Sequence, residues 1–176
     1  MVKSLNIKKV HSIVFDFDGV FTDNCVYVDQ FGVENVKCNR GDGLGIDLLR
    51  KFIAINSLNI DLFILSKEKN EVVKKRASKL KIKCINGVDN KYDFLVKKIT
   101  NKFPNQSLEK ISEGLIYLGN DINDIRVMNL AGYSVAPSDA HEKIKEIASL
   151  VINRRGGDQF VRSFIEILIN LENMTY

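Results

Sequence analysis

The stretch Ile13-Val14-Phe15-Asp16-Phe17-Asp18-Gly19-Val20 puts two carboxylates where a buried strand runs out. Ile13, Val14 and Phe15 are an apolar, β-branched and aromatic run of the kind that fills a strand covered on both faces, and Gly19 permits a sharp turn after it. The acids therefore stand at a carboxyl edge, which in an open α/β sheet is where ligands bind. Residues two apart on a strand share a face. Asp16 and Asp18 can thus serve one centre, one as nucleophile or metal ligand and the other as acid or base. Two solvated acids beside a turn would look the same over so short a stretch, and the rest of the chain has to decide.

Outward from this strand, β and α patterns alternate. Cys25 to Val28, a turn at Asp29-Gln30-Phe31-Gly32, and Val33 to Cys38 read as a β-hairpin projecting from the sheet. Leu44, Ile46, Leu48, Leu49 and Phe52 give Asp42 to Phe52 helical spacing. Strands are expected at Asp61–Leu65, Ile82–Ile85, Leu115–Leu118, Ser134–Ala136 and Leu150–Ile152. Helices are expected at Asn70–Leu80, Lys91–Phe103, near Ile122–Leu130, at His141–Ala148 and at Gln159–Leu171. Repeated β-α units predict one three-layer α/β domain over residues 1–176 with a mainly parallel sheet.

Composition narrows the function. A chain of 176 residues with 45% apolar content can bury one good core and is short for two. No apolar run approaches the roughly 18–20 residues of a membrane span, and Met1-Val2-Lys3-Ser4-Leu5-Asn6 lacks a signal-peptide core, so a cytoplasmic protein without a membrane partner is expected. Cys25, Cys38 and Cys84 have no C-x-x-C spacing, which argues against both a disulfide framework and a thiolate zinc site. A formal charge of +4 suits attraction of a small anion better than nucleic-acid binding. Lys74, Lys75, Arg76, Lys79, Lys81 and Lys83 read most simply as a solvated face, with no interleaved aromatics for base stacking. His11 and His141 lie outside every motif and are assigned structural or surface roles.

Polar groups collect at the same predicted edge. The strand at Asp61–Leu65 ends in Ser66; that at Leu115–Leu118 ends in Gly119-Asn120-Asp121-Ile122-Asn123-Asp124; Lys91 opens a helix between them. An attacking carboxylate, a cation and a hydroxyl for the peripheral oxygens, and further carboxylates for Mg²⁺ are what phosphoryl transfer needs.

These four motifs resemble those of the haloacid dehalogenase superfamily of phosphatases, over nearly the whole chain. The stretches Asp16 to Asp23, Arg40-Gly41-Asp42-Gly43-Leu44-Gly45-Ile46 and Arg154-Arg155-Gly156-Gly157-Asp158-Gln159-Phe160-Val161-Arg162 look most like the small sugar-acid phosphatases. Those act on 3-deoxy-octulosonate 8-phosphate or on nonulosonate 9-phosphates. The chain is also similar to the carboxyl-terminal domain fused to some acylneuraminate cytidylyltransferases.

The resemblance implies a Rossmann-like fold and a set of roles. Asp16 would attack phosphorus, Asp18 would serve as acid and then base, and Ser66 and Lys91 would hold the phosphoryl oxygens. Mg²⁺ would sit among Asp16, Asp18, Asn120, Asp121 and Asp124. The family's metal carboxylate normally follows the glycine of the last motif, and Asn120 occupies that place here. The intervals Asp18 to Ser66 and Ser66 to Lys91 leave no room for a cap domain. The resemblance therefore implies a homotetramer whose subunits cover one another's sites, with the Cys25–Cys38 hairpin as assembly element. Glu68, Arg76 and Lys79 match the nonulosonate type and are expected to bind substrate, Glu68 accepting from sugar hydroxyls or an amide and Arg76 and Lys79 facing the carboxylate, whereas octulosonate phosphatases tend to carry arginine where Glu68 stands. A nonulosonate 9-phosphate is the expected substrate. The octulosonate 8-phosphate is the alternative, and a weakly active or non-catalytic oligomerisation module is the alternative of another class.

Overall fold

The computed structural model describes residues 6–170. In chain order these form β1 (Ser12–Phe15), β2 (Tyr27–Val28), β3 (Glu34–Asn35), α1 (Arg40–Ile55), β4 (Asp61–Leu65), α2 (Glu71–Leu80) and β5 (Lys83–Ile85). There follow α3 (Lys91–Lys102), α4 (Leu108–Ser112), β6 (Leu115–Leu118), α5 (Ile125–Leu130), β7 (Tyr133–Pro137), α6 (Glu142–Ile147), β8 (Leu150–Ile152) and α7 (Phe160–Leu168). The Met1–Leu5 part of the amino-terminal reading and Leu171 of the last expected helix lie outside the described residues.

Six strands pair in the order β5-β4-β1-β6-β7-β8, all parallel. The period-2 alternation of β1 divides the core. Ile13 and Phe15 face α1, α2 and α7 with Ile46, Leu49, Val73, Phe160 and Phe164. Val14 faces α3, α5 and α6 with Leu95, Val127 and Ile144. A three-layer Rossmann-like α/β fold results, as expected from the sequence. Helices α1, α2 and α3 are each started by a polar cap: the Asn39, Asn70 and Asn90 side chains accept the N–H groups of Gly41, Val72 and Asp93.

Two features depart from expectation. The hairpin pairs over only Tyr27–Val28 and Glu34–Asn35, as a separate two-stranded ladder, while Val36 and Cys38 of its return leg pack against the core. An isolated Thr22–Cys38 bridge closes its base. The helix expected near Ile122–Leu130 is a 3-10 turn, Ile122–Asp124, followed by α5. The 3-10 turn Ile7–Lys9 and helix α4 went unforeseen, being too short to show a period. Among the described residues no helix is long and apolar enough to cross a membrane.

The chain runs outward from β1 through β4 to β5, then returns to the other side of β1 with β6. The carboxyl ends of β1, β4 and β6 thus flank the point where strand order reverses, where a crevice opens. Register keeps these ends level: Phe15 lies opposite both Ile64 and Leu118.

Candidate active site

Asp16 leaves β1 still in sheet geometry, its N–H donating to Leu118 O at 2.9 Å. Its Oδ1 accepts the Phe17 N–H at 2.7 Å and lies 2.8 Å from Lys91 Nζ. Lys91, on the first turn of α3, is buried; its Nζ also lies 2.8 Å from Asp124 Oδ1 and 3.4 Å from Tyr117 Oη. Burial, reinforced by the Asp124 carboxylate, pushes the Asp16 carboxyl up to about 8 despite Lys91. Burial alone would lower Lys91; the Asp16 and Asp124 carboxylates outweigh it and raise the ammonium above its ordinary value.

Asp124 has no oxygen to spare. Oδ1 takes the Tyr117 hydroxyl at 2.6 Å and Lys91, while Oδ2 accepts the N–H groups of Asn120 at 3.0 Å and Asp121 at 3.4 Å. Of the expected metal ligands, it is the one whose oxygens the protein itself consumes, and its evident work is to fix Lys91 and the loop. Gly119 allows this, since a Cβ there would meet the Asp124 carboxyl at 2.8 Å. Tyr117, fully buried inside β6, belongs to the site and was missed because its spacing marks it as core.

A cavity of about 470 Å³ opens over these groups, lined by Asp16, Asp18, Ser66, Glu68, Asn120 and Asp121 together with Asn24, Lys67, Lys69, Asp89 and Asn123. Asp18 is half-buried. Burial and then the Glu68 carboxylate raise its carboxyl above the usual range, with Lys91 and a Thr22 hydrogen bond acting against them. Ser66 follows β4, held by its N–H to Ile85 O at 2.9 Å; its Oγ accepts the Glu68 N–H at 3.0 Å, leaving the hydroxyl proton to donate. Glu68 Oε1 accepts the N–H groups of Lys69 at 2.7 Å and Asn70 at 3.0 Å, which fixes its carboxylate at the cavity wall. Lys67 and Lys69 flank these residues and could have been foreseen from that adjacency.

Arg76 and Lys79 do not reach this cavity. Arg76 turns to the base of the hairpin, donating to Asn39 O at 2.8 Å, and Lys79 lies exposed on α2. The helix period put both on α2, but it could not show that the backbone after the hairpin, at Asn39, would take the Arg76 guanidinium.

The donors suit a hard cation. Five carboxylates against two lysines line the cavity, a charge that repels a phosphate dianion unless a cation intervenes. Among the described residues no three His, Cys, Asp or Glu side chains converge as a ready metal cage. The available set is the Asp16 carboxylate, the Asp18 backbone carbonyl, the Asn120 amide oxygen and exposed Asp121. Magnesium, which keeps several waters and takes few carboxylates, fits that set. Asn120 is placed by contact with the turn after β1: a Cβ on Gly19 would fall 1.9 Å from Asn120 Nδ2.

A carboxylate paired with a buried lysine, with a second carboxyl two residues on and a hydroxyl just past the neighbouring strand, suits a phosphoric monoester hydrolase. The chain belongs to the haloacid dehalogenase-like hydrolase family, whose model matches residues 3–158. It is 31% identical over 172 residues to the 3-deoxy-D-manno-octulosonate 8-phosphate phosphatase of Salmonella typhi, covering 96% of this chain and 82% of that protein. A family hydrolase from Streptomyces avermitilis superposes with TM-score 0.81 at 36% identity over 94% of this chain and 88% of its own. The octulosonate phosphatase of Yersinia pestis does so with TM-score 0.78 at 28% identity, over 94% and 83%. These likenesses support its place in the sugar-acid phosphatase branch.

Proposed function

We propose that the chain hydrolyses the phosphate ester of a sugar acid, with a nonulosonate 9-phosphate as preferred substrate. The observation that carries the reading is the convergence of Asp16, Asp18, Ser66 and Lys91 on one polar cavity of a size suited to a small metabolite. An Asp16 carboxylate oxygen attacks phosphorus as the bond to the sugar oxygen breaks, and Asp18 gives that oxygen its proton. Asp18 then takes a proton from water, whose oxygen displaces Asp16 and releases inorganic phosphate. Ser66 donates to a phosphoryl oxygen. Lys91 favours the anionic form of Asp16 against its burial and adds positive charge beside the phosphoryl group. Asp16, the Asp18 carbonyl and Asn120, with Asp121 beside them, would hold Mg²⁺. When bound there, it supplies the positive charge that lets a phosphate dianion sit among carboxylates.

Glu68 supports the nonulosonate, since its carboxylate at the cavity wall can accept hydrogen bonds from sugar hydroxyls or an amide, where an arginine would be expected for the octulosonate. The curated relatives favour the octulosonate 8-phosphate as second reading. The hairpin, with Val26, Tyr27, Val28, Phe31 and Val33 exposed, supports assembly into a homotetramer in which it covers a neighbour's cavity.

Phosphate release from both sugar-acid phosphates, with Mg²⁺ and with a chelator, tests the reading. Higher kcat/KM for the nonulosonate is expected, with loss in the chelator. Asp16→Asn should lower turnover by a factor of about a thousand or more with circular dichroism unchanged. Near-normal turnover in that variant would overturn attack by Asp16.

A further inference from the structure

Helix α7 starts without a cap of its own. Gln159, which precedes it, has φ +60° and makes no side-chain hydrogen bond to the first turn. The acceptor comes instead from α1: Asp42 Oδ1 takes the Arg162 N–H at 3.0 Å across 120 residues. Asp42 has no exposed surface, and no hydrogen bond to its Oδ2 forms among the described residues. One turn along α1, Gly45 lets the two helices touch through their backbones, since a Cβ there would fall 2.9 Å from Arg162 Cα.

The segment that enters α7 grips the turn carrying Asp18. Gly157 N–H donates to Val20 O at 3.1 Å. A Cβ on Gly156 would lie 2.1 Å from Gly19 O, and one on Gly157 2.5 Å from Thr22 C, so only two glycines can lie so flat on this backbone. The other side of the segment is tied down by Asp139, whose carboxylate accepts Gly156 N–H at 2.9 Å and Arg155 Nε at 3.2 Å. Within the gripped turn, Thr22 Oγ1 accepts the N–H groups of Gly19, the residue after Asp18, at 3.1 Å and of Asn24 at 3.2 Å.

We infer that Asp42 is a positioning residue for Asp18: by capping α7 from α1 it sets the Gly156-Gly157 segment, which fixes the Gly19–Thr22 turn and with it the proton-transferring carboxyl. The inference rests on Asp18 being the acid and base proposed above. It separates Asp42 from residues that merely support the fold, because its loss has to fall on the step that needs a well-placed proton.

Removing the cap by Asp42→Ala should lower kcat/KM for the preferred sugar-acid phosphate, whose alkoxide leaves poorly without a proton, by about tenfold to a hundredfold. The loss on p-nitrophenyl phosphate, which leaves without help, should stay within about threefold. Asp42→Asn keeps the acceptor oxygen and ranks with aspartate as a cap, so it should restore the sugar ester to within about threefold of wild type. If Asp42→Ala does not fold, Asp42→Ser, too short to reach the Arg162 N–H, takes its place with the same selective loss expected. Equal losses on the two esters, or a loss in Asp42→Asn as large as in Asp42→Ala, would overturn the inference. Asp18→Asn run alongside separates the failures. Selectivity there without selectivity at Asp42 sinks the inference alone, whereas no selectivity at Asp18 sinks the acid reading and this inference with it.

Discussion

Asn120 stands where a carboxylate would give the metal site one more negative charge. Its side chain is buried against Gly19 and lines the cavity, so a carboxylate of the same shape fits without repacking. Asn120→Asp should therefore tighten Mg²⁺, by about tenfold in a calorimetric titration, because a hard cation prefers charged oxygen. An unchanged titration would place the metal away from residue 120. Asp42 offers a test of charge against burial. Burial raises its carboxyl to about 6, against the N–H groups of Arg162 and Val161 and the Arg76 guanidinium, while Asp158 reinforces the rise. A carboxyl raised on folding binds its proton more tightly in the native state, so its contribution to stability is greatest below the unfolded value near 4 and is lost as pH climbs through about 6. Asp42→Asn has no such loss. Its stability advantage over wild type should grow between pH 4 and 6, level off above, and reach roughly 1–3 kcal/mol by denaturant titration. An advantage that shrinks over that range would contradict the assigned direction.

At the scale of elements, the proposed substrate choice rests on the loop from Ser66 into α2. Glu68 is pinned by two backbone N–H groups at the cavity wall, and Asn70, the cap of α2, also reaches the hairpin by donating to Glu34 Oε2 at 3.0 Å. Glu68→Arg should thus lower kcat/KM for a nonulosonate 9-phosphate by about tenfold or more while changing that for an aryl phosphate little, since the chemistry at Asp16 lies elsewhere. Equal losses on both would remove Glu68 from recognition. The β-α alternation that places this loop was legible because covered strands such as Ile13–Phe15 and periodic helices such as α1 carry strong local patterns. Ser66 and Gly119 were legible as strand ends, and Lys91 as a helix start, for the same reason. What no local pattern carries is the partner across the fold. Tyr117 reads as core until Asp124 folds back to it, Arg76 reads as substrate-facing until Asn39 takes it, and the cap that Asp42 gives α7 spans 120 residues.

For the whole molecule, the uncovered cavity and the uncovered hairpin pose one problem. The site lies at the reversal of strand order with no inserted cap above it, and phosphoryl transfer is favoured where water is excluded. The hairpin, meanwhile, holds only a two-residue antiparallel ladder, too little to stand alone, yet carries Phe31 at 81% and Val28 at 62% exposure. An apolar arm of this kind gains stability only by burial against another surface, and within the described residues it packs on none that would hide these side chains. In the proposed assembly, copies of this chain would supply such a surface through closed symmetry, each arm shielding another subunit's cavity. Light scattering at assay concentration should find a tetramer. Val28→Lys with Phe31→Lys should shift it toward monomer, raise KM for the sugar-acid phosphate several-fold and leave the circular dichroism intact. A wild-type monomer with full activity would show that the cavity needs no neighbour and that the arm has another purpose.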